Sequence, residues 1–323
     1  MSKIDVKFAL VTGGAGFIGS HLVDRLVLEG WSVRIVDNFS SGRMENVEHH
    51  RGNRRVEILR GDLKSPKEAE EAVKGVDVVF HYAANPEVRL STTNPDVHFN
   101  ENVVATFNLL EAMRKSDVEQ LVFASSSSVY GEPESIPVSE DAPIKPVSVY
   151  GASKAACENL IHAYCNLYGL KAVVLRHGVI YDFIVKLCKN PKQLEILGDG
   201  TQKRSYIYID DAVEATMIAY NAAAGKRFEV FNVGNEDYIT VKEVADIVVD
   251  ALKLRGVKYV YKPVDHGVGW RGDVKNIALS IDKIKSQGFK PQLDSRQSCK
   301  KDASELIKSQ LNVRSTIKKD RCT

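Results

Sequence analysis

Val11-Thr12-Gly13-Gly14-Ala15-Gly16-Phe17-Ile18-Gly19 follows the apolar run Val6-Lys7-Phe8-Ala9-Leu10. The stretch reads as a short strand, a glycine turn and then a helix running through Leu22, Val23, Leu26 and Val27. Such a turn aims a helix N-terminus and unobstructed backbone N–H groups at a pyrophosphate. Gly13 permits the tight turn, Gly16 lets phosphates approach, and Gly19 lets helix and strand pack closely. The spacing is G-x-x-G-x-x-G rather than G-x-G-x-x-G. Asp37 ends the next apolar run, Trp31–Val36. A carboxylate there accepts both hydroxyls of an adenine ribose and repels a 2′-phosphate, which favours NAD over NADP. Arg34 and Arg43 lie nearby and are read as solvated surface charges.

Working outward, strand-like runs at 6–12, 31–36, 56–59, 76–81, 120–125 and 171–176 alternate with helical patterns at 17–29, 66–73, 101–115 and 149–168. That alternation predicts an α/β fold, a Rossmann-type doubly wound parallel sheet with its ligand edge at the strand C-termini. Gly61-Asp62-Leu63 falls just past the third strand, where Asp62 is either an acceptor for the adenine amino group or a turn residue. Ala83 and Ala84 follow the fourth strand, where small side chains let backbone lie against a cofactor. Beyond residue 180 the pattern is less regular. A strand-like stretch at 205–209 precedes a helix from Asp210 or Asp211, 228–233 reads as a further sheet strand, and a helix starts at Val241. The expected division is 1–178 plus about 205–234 as the cofactor domain, about 179–204 and 235–313 as a smaller, discontinuous C-terminal substrate lobe, and 314–323 as a flexible tail.

The chain has 323 residues, 44% of them hydrophobic, and a net charge of +2. That is enough for one large or two modest domains and gives no general reason to invoke nucleic acid. No apolar run approaches the roughly 18 residues of a membrane span. The N-terminal Met1-Ser2-Lys3-Ile4-Asp5 lacks the apolar stretch of a signal peptide. Cys157, Cys165, Cys188, Cys299 and Cys322 are odd in number, widely spaced and without a C-x-x-C pair, so reduced thiols in a cytoplasmic protein and no metal are expected.

The chemistry is carried by Tyr150-Gly151-Ala152-Ser153-Lys154. Four residues apart on a helix, Tyr150 and Lys154 share one face. An ammonium beside a phenol favours phenolate and draws the tyrosine pKa from about 10 toward neutrality. A tyrosine so tuned takes a proton from an alcohol as hydride leaves the same carbon. At the end of the fifth strand, Phe123-Ala124-Ser125-Ser126-Ser127-Ser128-Val129-Tyr130-Gly131 places Ser126 at the crevice, where its hydroxyl can hold the reacting oxygen.

With these motifs in place the chain resembles the extended short-chain dehydrogenase/reductase superfamily, and within it the UDP-glucose (UDP-galactose) 4-epimerase group of nucleotide-sugar enzymes. The resemblance spans about residues 7–300 and rests on Thr12–Gly19, Val36–Gly42, Gly61–Leu63, His81–Ala84, Asn102 with Thr106–Leu110, Ser125–Gly131, Tyr150–Lys154 and Gly198–Arg204. It implies Tyr150 as acid/base, Lys154 as pKa tuner and ribose ligand, and Ser126 as the hydroxyl that orients the sugar oxygen. NAD would be held by Gly13, Gly16, Phe17, Ile18, Gly19, Asp37, Asn38, Ser41, Gly42, Asp62, Leu63, Ala83, Ala84, Asn102 and Ser125, with Tyr150 and Lys154. A UDP-sugar would meet Ser126, Ser127, Tyr150, Gln202, Arg204, Arg271 and Asp273, and Ile277 would contribute bulk to the sugar pocket. A homodimer through helices 101–115 and 149–168 is also implied.

Related 4,6-dehydratases carry an Asp-Glu pair after the catalytic hydroxyl, and decarboxylases a glutamate at the second position. Here Ser127 and Ser128 stand there. Without those groups the implied cycle is epimerisation: oxidation at C4, turnover of the 4-keto sugar, and hydride return to its other face with no net redox. The implied substrate is UDP-glucose/UDP-galactose; UDP-glucuronate or a UDP-N-acetylhexosamine is the alternative. One departure stands out. The strand ends Leu175-Arg176-His177-Gly178-Val179-Ile180, without the Asn-containing, Gly-Pro-rich loop that the family places after the arginine. The loss removes donors beside the nicotinamide and the diphosphate, so an NAD-binding homologue with impaired turnover is the competing expectation.

Overall fold

A computed structural model describes residues 6–178, 187 and 190–305. The expected tail at 314–323, Cys188 and Cys322 lie outside the described residues. Strands β1 (Phe8–Thr12), β2 (Ser32–Asp37), β3 (Val56–Arg60), β4 (Val78–His81), β5 (Gln120–Ser126), β6 (Lys171–His177) and β9 (Phe228–Val233) form one sheet in the order β3-β2-β1-β4-β5-β6-β9. All of its pairings are parallel. The strand order reverses between β1 and β4, which opens the ligand crevice of a doubly wound sheet at their C-terminal ends.

Alternation along each strand decides which layer a side chain joins. Ala9 and Val11 of β1 pack with helices α1 (Phe17–Leu28) and α5 (Ile209–Ala222) on one face. Leu10 packs on the other face, with α2 (Pro66–Val73), α3 (Ala105–Lys115) and α4 (Val149–Tyr168). The same split holds in β6, where Val173 and Leu175 face one way and Ala172 and Val174 the other. Leu22, Val23 and Leu26 of α1 are fully buried, each contributing about 1.5–3 kcal/mol.

The glycines hold α1 close to β1. A Cβ on Gly19 would lie 2.3 Å from the Gly13 carbonyl oxygen. Gly13 has φ +67, and a Cβ there would stand 2.7 Å from the Ala83 nitrogen. Both the backbone angle and the contact exclude a side chain at Gly13.

Two expectations shift. The helix expected over 101–115 begins with a π-helical stretch, Phe99–Val104, before α3. The stretch at 205–209 is not a strand: Lys203–Arg204 form the short β8, and α5 starts at Ile209. Side chains take the backbone groups that a ladder would have used. Ser295 Oγ accepts from Tyr206 N at 3.0 Å, and Asn235 Nδ2 donates to the Tyr206 carbonyl.

Outside the main sheet, β8 lies between β10 (Ile239–Thr240) and β12 (Asn276–Ile277). Strand β7 (Gln193–Leu197) pairs in parallel with β11 (Lys258–Lys262). Helix α6 (Val241–Ala251) starts on a capping box in which Thr240 and Glu243 bond reciprocally.

A buried ion pair ties the layers together. Arg176 of β6 donates to both carboxylate oxygens of Glu158 on α4, at 3.1 and 2.7 Å, and to Tyr130 Oη at 2.8 Å. Tyr130 Oη donates in turn to Asn232 Oδ1 of β9 at 2.7 Å. Both charged side chains are 4% exposed. Removing one charge strands the other. Glu158→Gln is therefore expected to cost about 3–5 kcal/mol of stability, read as a lower midpoint in urea unfolding.

A second prediction concerns acid. His81 sits between Thr12 Oγ1 at 2.7 Å and Thr106 Oγ1 at 2.9 Å. Burial, and then the charge of Lys154, push its pKa down to about 3. The same two causes hold His177 at about 4. Between these values and about 6.5, the unfolded chain binds more protons than the folded one, so stability rises with pH over that window. Unfolding free energy should fall from pH 7 to pH 5, and His177→Gln should flatten that fall. An unchanged slope in the variant would contradict the assignment.

Candidate active site

The glycine turn delivers α1 with Gly16 as its N-cap, no side-chain cap and no acid in the first turn. Its leading N–H groups therefore keep their capacity for an anion. Asp37, at the end of β2, is 7% exposed. Its Oδ2 accepts from Ala15 N at 3.0 Å and its Oδ1 from Phe39 N at 2.8 Å. The carboxylate thus braces the turn and the following loop, and its remaining acceptor capacity suits ribose hydroxyls. Beyond it, Phe39, Gly42, Arg43, Ile58 and Arg60 line a hollow of about 450 Å³. Arg34 points elsewhere, donating to Glu57 and to the carbonyls of Ala72 and Lys74 near the end of α2. Asp62 serves as a turn residue, its Oδ1 accepting from Lys64 N at 2.9 Å, and its Oδ2 accepts from Asn38 Nδ2 at 3.4 Å.

After β4, Ala83 N donates to Thr12 Oγ1 at 3.3 Å, which brings the Ala83 backbone onto the glycine turn. Asn102, 1% exposed, sits in the π-helical stretch. It accepts from Asn85 N at 2.8 Å and donates to Ser153 Oγ at 2.9 Å. The wider turn lets one amide join the loop after β4 to α4, a use of π geometry common at functional sites.

Three residues at the end of β5 meet α4. The Ala124 carbonyl accepts from Lys154 Nζ at 2.7 Å. Ser125 Oγ donates to Glu158. Ser126 favours the deprotonated form of the Tyr150 phenol. Ser128 Oγ donates to Ser126 Oγ at 2.9 Å, which leaves the Ser126 hydroxyl proton to donate elsewhere. Ser127 is buried beside them.

The electrostatics differ from the sequence expectation in one respect. Lys154 is expected to draw the phenol toward neutrality. In the structure Tyr150 is half-buried as a residue while its hydroxyl is enclosed. Burial pushes its pKa up to about 12, against the opposing influence of Ser126. Desolvation of the phenolate dominates. Lys154, 3% exposed, is itself pushed down to about 8 by burial, with Cys157 and Glu158 working the other way.

In the smaller lobe the expected substrate residues are bonded internally. Gln202 is buried, accepts from Gly200 N at 2.9 Å and donates to the Leu197 carbonyl at 2.9 Å, so its amide closes its own turn. Arg204 pairs with Asp273 at 2.9 Å and donates to the carbonyls of Lys203, Val274 and Lys275. Asp273 also accepts from Gly269 N. Arg271 is 84% exposed and 3.6 Å from Asp265. Ile277 is buried in β12.

Two histidines escaped the sequence analysis. His98 packs edge-on against the Tyr150 ring, centroids 5.6 Å apart, and neither of its nitrogens has a hydrogen-bond partner. His177 stands opposite Ser126 in the β5–β6 register, also buried with both nitrogens unpaired. His98 lies among Asp96, Asn100 and Glu101 and His177 between Arg176 and Gly178, so neither carries a local pattern that marks it in the sequence. Among the described residues, no helix is long and apolar enough to cross a membrane.

Comparison with known proteins agrees with this geometry. Residues 9–234 match the model of the NAD dependent epimerase/dehydratase family. A UDP-glucose 4-epimerase from Mycolicibacterium smegmatis is 35% identical over 264 residues, covering 75% of this chain and 82% of the relative. A crystal structure of a UDP-galactose 4-epimerase is 46% identical with a TM-score of 0.83, covering 94% of this chain and 99% of that one. A UDP-N-acetylglucosamine 4-epimerase from Methanobrevibacter ruminantium M1, solved with UDP-N-acetylmuramic acid, is 30% identical with a TM-score of 0.82, covering 95% of this chain and 100% of that one. A Rossmann-type sheet, a glycine turn after its first strand, a buried acid at the end of its second and a family match across most of the chain lead to one assignment: the chain belongs to the NAD-dependent epimerase/dehydratase family, and its cofactor is NAD.

Proposed function

We propose that the chain interconverts the C4 epimers of a UDP-hexose, UDP-glucose and UDP-galactose. The observation that carries the reading is Lys154 anchored on the Ala124 carbonyl at 2.7 Å, on the helix face it shares with Tyr150, while Ser126 at the end of β5 favours the deprotonated form of that phenol. A structural relative 30% identical is named for an N-acetylated sugar, so the plain hexose rests on the epimerase resemblance alone, while Ser127 and Ser128, standing where dehydratases and decarboxylases carry acids, support epimerisation.

The glycine turn, Asp37, Asn38, Ser41, Gly42, Asp62 and the Ala83-Ala84 backbone would hold NAD, which supplies a carbon able to accept and return a hydride. The chain's own work is proton handling. Tyr150 acts from its phenolate form, which the occupied crevice must favour against burial: the phenolate Oη receives the proton of the C4 hydroxyl, and the resulting phenol gives it back. Ser126 donates to the phenol oxygen and stabilises its deprotonated form. Lys154 holds positive charge beneath the site, and a pKa of about 8 keeps it mostly protonated at neutral pH. Asn102 keeps α4 in register with the loop after β4. In this proposal the described residues of the smaller lobe, 187, 190–204 and 235–305, bind the nucleotide sugar. Arg204 and Asp273 would serve there as a fixed pair facing the nucleotide, Gln202 through its turn, and Arg271 as an exposed guanidinium paired loosely with Asp265.

A second reading rests on the short junction after Arg176. Gly178 N donates to the Val233 carbonyl at 2.9 Å, so pairing with β9 runs to the very end of β6. With the substrate-side loop lost, the chain would bind NAD and turn over poorly or not at all. Each missing donor is commonly worth about 1 kcal/mol, more against charge.

The readings part on one preparation. Heat-released nucleotide should be NAD, and the same protein should convert UDP-galactose to UDP-glucose. Bound NAD without conversion at millimolar substrate would select the second reading. Tyr150→Phe should keep fold and NAD while turnover drops about 10²–10⁴-fold, the usual worth of an acid/base group. Unchanged turnover would exclude Tyr150 from that role.

A homodimer through α3 and α4 is part of the proposal. Phe107, Leu167 and Tyr168 stand exposed on those helices, at 45%, 71% and 54%. Light scattering should report twice the 35.8 kDa chain mass, and a monomer would rule the interface out.

A further inference from the structure

Away from the residues assigned above, α1 and the 3-10 turn Glu48–His50 bring three ligand-type side chains together. His49 Nε2 lies 2.7 Å and His50 Nε2 2.6 Å from the same oxygen, Asp24 Oδ1. The two rings stand 4.1 Å apart, tilted by 41°. His50 is 8% exposed at its side chain, while His49 and Asp24 are 54% and 46% exposed. The three ligand atoms all lie within 4.8 Å of one another.

We propose that Asp24, His49 and His50 form a binding site for one divalent transition-metal ion, zinc above all. Two adjacent imidazoles need not converge on one carboxylate oxygen, since each ring has two nitrogens and the acid two oxygens. Here both rings turn the same nitrogen inward to one point. An ion bound by two imidazole nitrogens at about 2.0–2.1 Å and a carboxylate oxygen at about 2.0–2.2 Å needs that convergence. Side-chain rotation alone can open the space, because all three groups already point at it and two of them face solvent. Two imidazoles with one carboxylate select zinc, cobalt, nickel or copper over magnesium and calcium, which want oxygen ligands. The exposed side leaves room for water to complete the coordination.

The site has a structural consequence. Upstream in the same loop, Arg43 N and Asn46 Nδ2 both donate to the Ala15 carbonyl, at 2.9 and 2.8 Å. Ala15 N is held in turn by Asp37. An ion on His49 and His50 would fasten the far end of this loop to Asp24 on α1. The segment beside the cofactor's ribose would then be pinned at both ends.

The test uses the full chain stripped of metal by chelator and titrated calorimetrically with zinc chloride alone, then with cobalt(II) followed by its visible spectrum. One equivalent should bind saturably. His49→Gln and Asp24→Asn should each weaken binding about tenfold or more, a scale reached even by outer-shell partners of a metal. Exchange of the amides at 43–50 should slow when zinc is added. Exposed His162, replaced by Gln, should leave the titration unchanged. His49 is largely exposed, so its variant keeps the test decisive if Asp24→Asn disturbs α1. No saturable binding up to millimolar zinc, or equal affinity in His49→Gln, would overturn the proposal and leave Asp24 as a hydrogen-bond acceptor for two imidazoles.

Discussion

The contact between the last turn of β5 and one stripe of α4 organises the rest of the site. Tyr150, Lys154 and Glu158 recur every fourth residue on the helix. They meet Ser126, the Ala124 carbonyl and Ser125, three consecutive residues of the strand. The meetings of Lys154 and Glu158 are hydrogen bonds in an interior where an unpaired group would be costly. Helical spacing of four and the pleat of a strand are thereby locked in one register. Sliding α4 by a single residue would break all three contacts at once. The phenol is thus placed by backbone geometry as much as by its own packing.

The same arrangement explains why burial dominates the titration of Tyr150. A phenol held against the sheet loses solvent on most sides, and desolvation penalises phenolate more than Ser126 supports it. Lys154 directs its ammonium to the Ala124 carbonyl, and burial weakens its own hold on the proton. Lys154 and Tyr150 are both enclosed, so whatever lowers the phenol during a reaction has to act within the crevice itself. A cationic group arriving beside the phenol oxygen would do so; a change in bulk salt would not, because screening acts on exposed charges.

Much of this fold was legible because period and punctuation agreed. The glycine turn, the acid at Asp37 and six alternating strands each have a local signature, and the structure returns their boundaries within a residue or two. What the sequence could not give was partnership across distance. Gln202 and Arg204 carry the right chemistry in a recognisable motif, yet the structure has Gln202 closing a turn and Arg204 paired with Asp273, which lies far along the chain. The stretch from Ser205 looks like a strand until Asn235 and Ser295 arrive from elsewhere to take its backbone groups. The π-helical widening around Asn102 has no period of its own to read. Local pattern reports local structure, and tertiary hydrogen bonding overrides it where the segment is short.

The junction after Arg176 shows how far the platform and the substrate side can be separated. Every polar nitrogen of Arg176 is engaged inside the fold, on Glu158, Tyr130 and the Glu140 carbonyl. Strand β6 pairs with β5 and β9 through His177, and the β9 pairing extends to Gly178. None of these bonds needs the loop that the family places next. The sheet, the ion pair and the Tyr150–Ser126 contact therefore stand without it, and so do the glycine turn and Asp37 on the far side of the crevice. Under the second reading, loss of that loop would act on the half of the site that holds a diphosphate and a nicotinamide, and its cost would fall on substrate affinity and on alignment of the reacting carbon. Such a chain would still fold and would keep the adenine half of its cofactor site, because the interactions proposed to build both lie upstream of that junction or are satisfied by the network around Arg176.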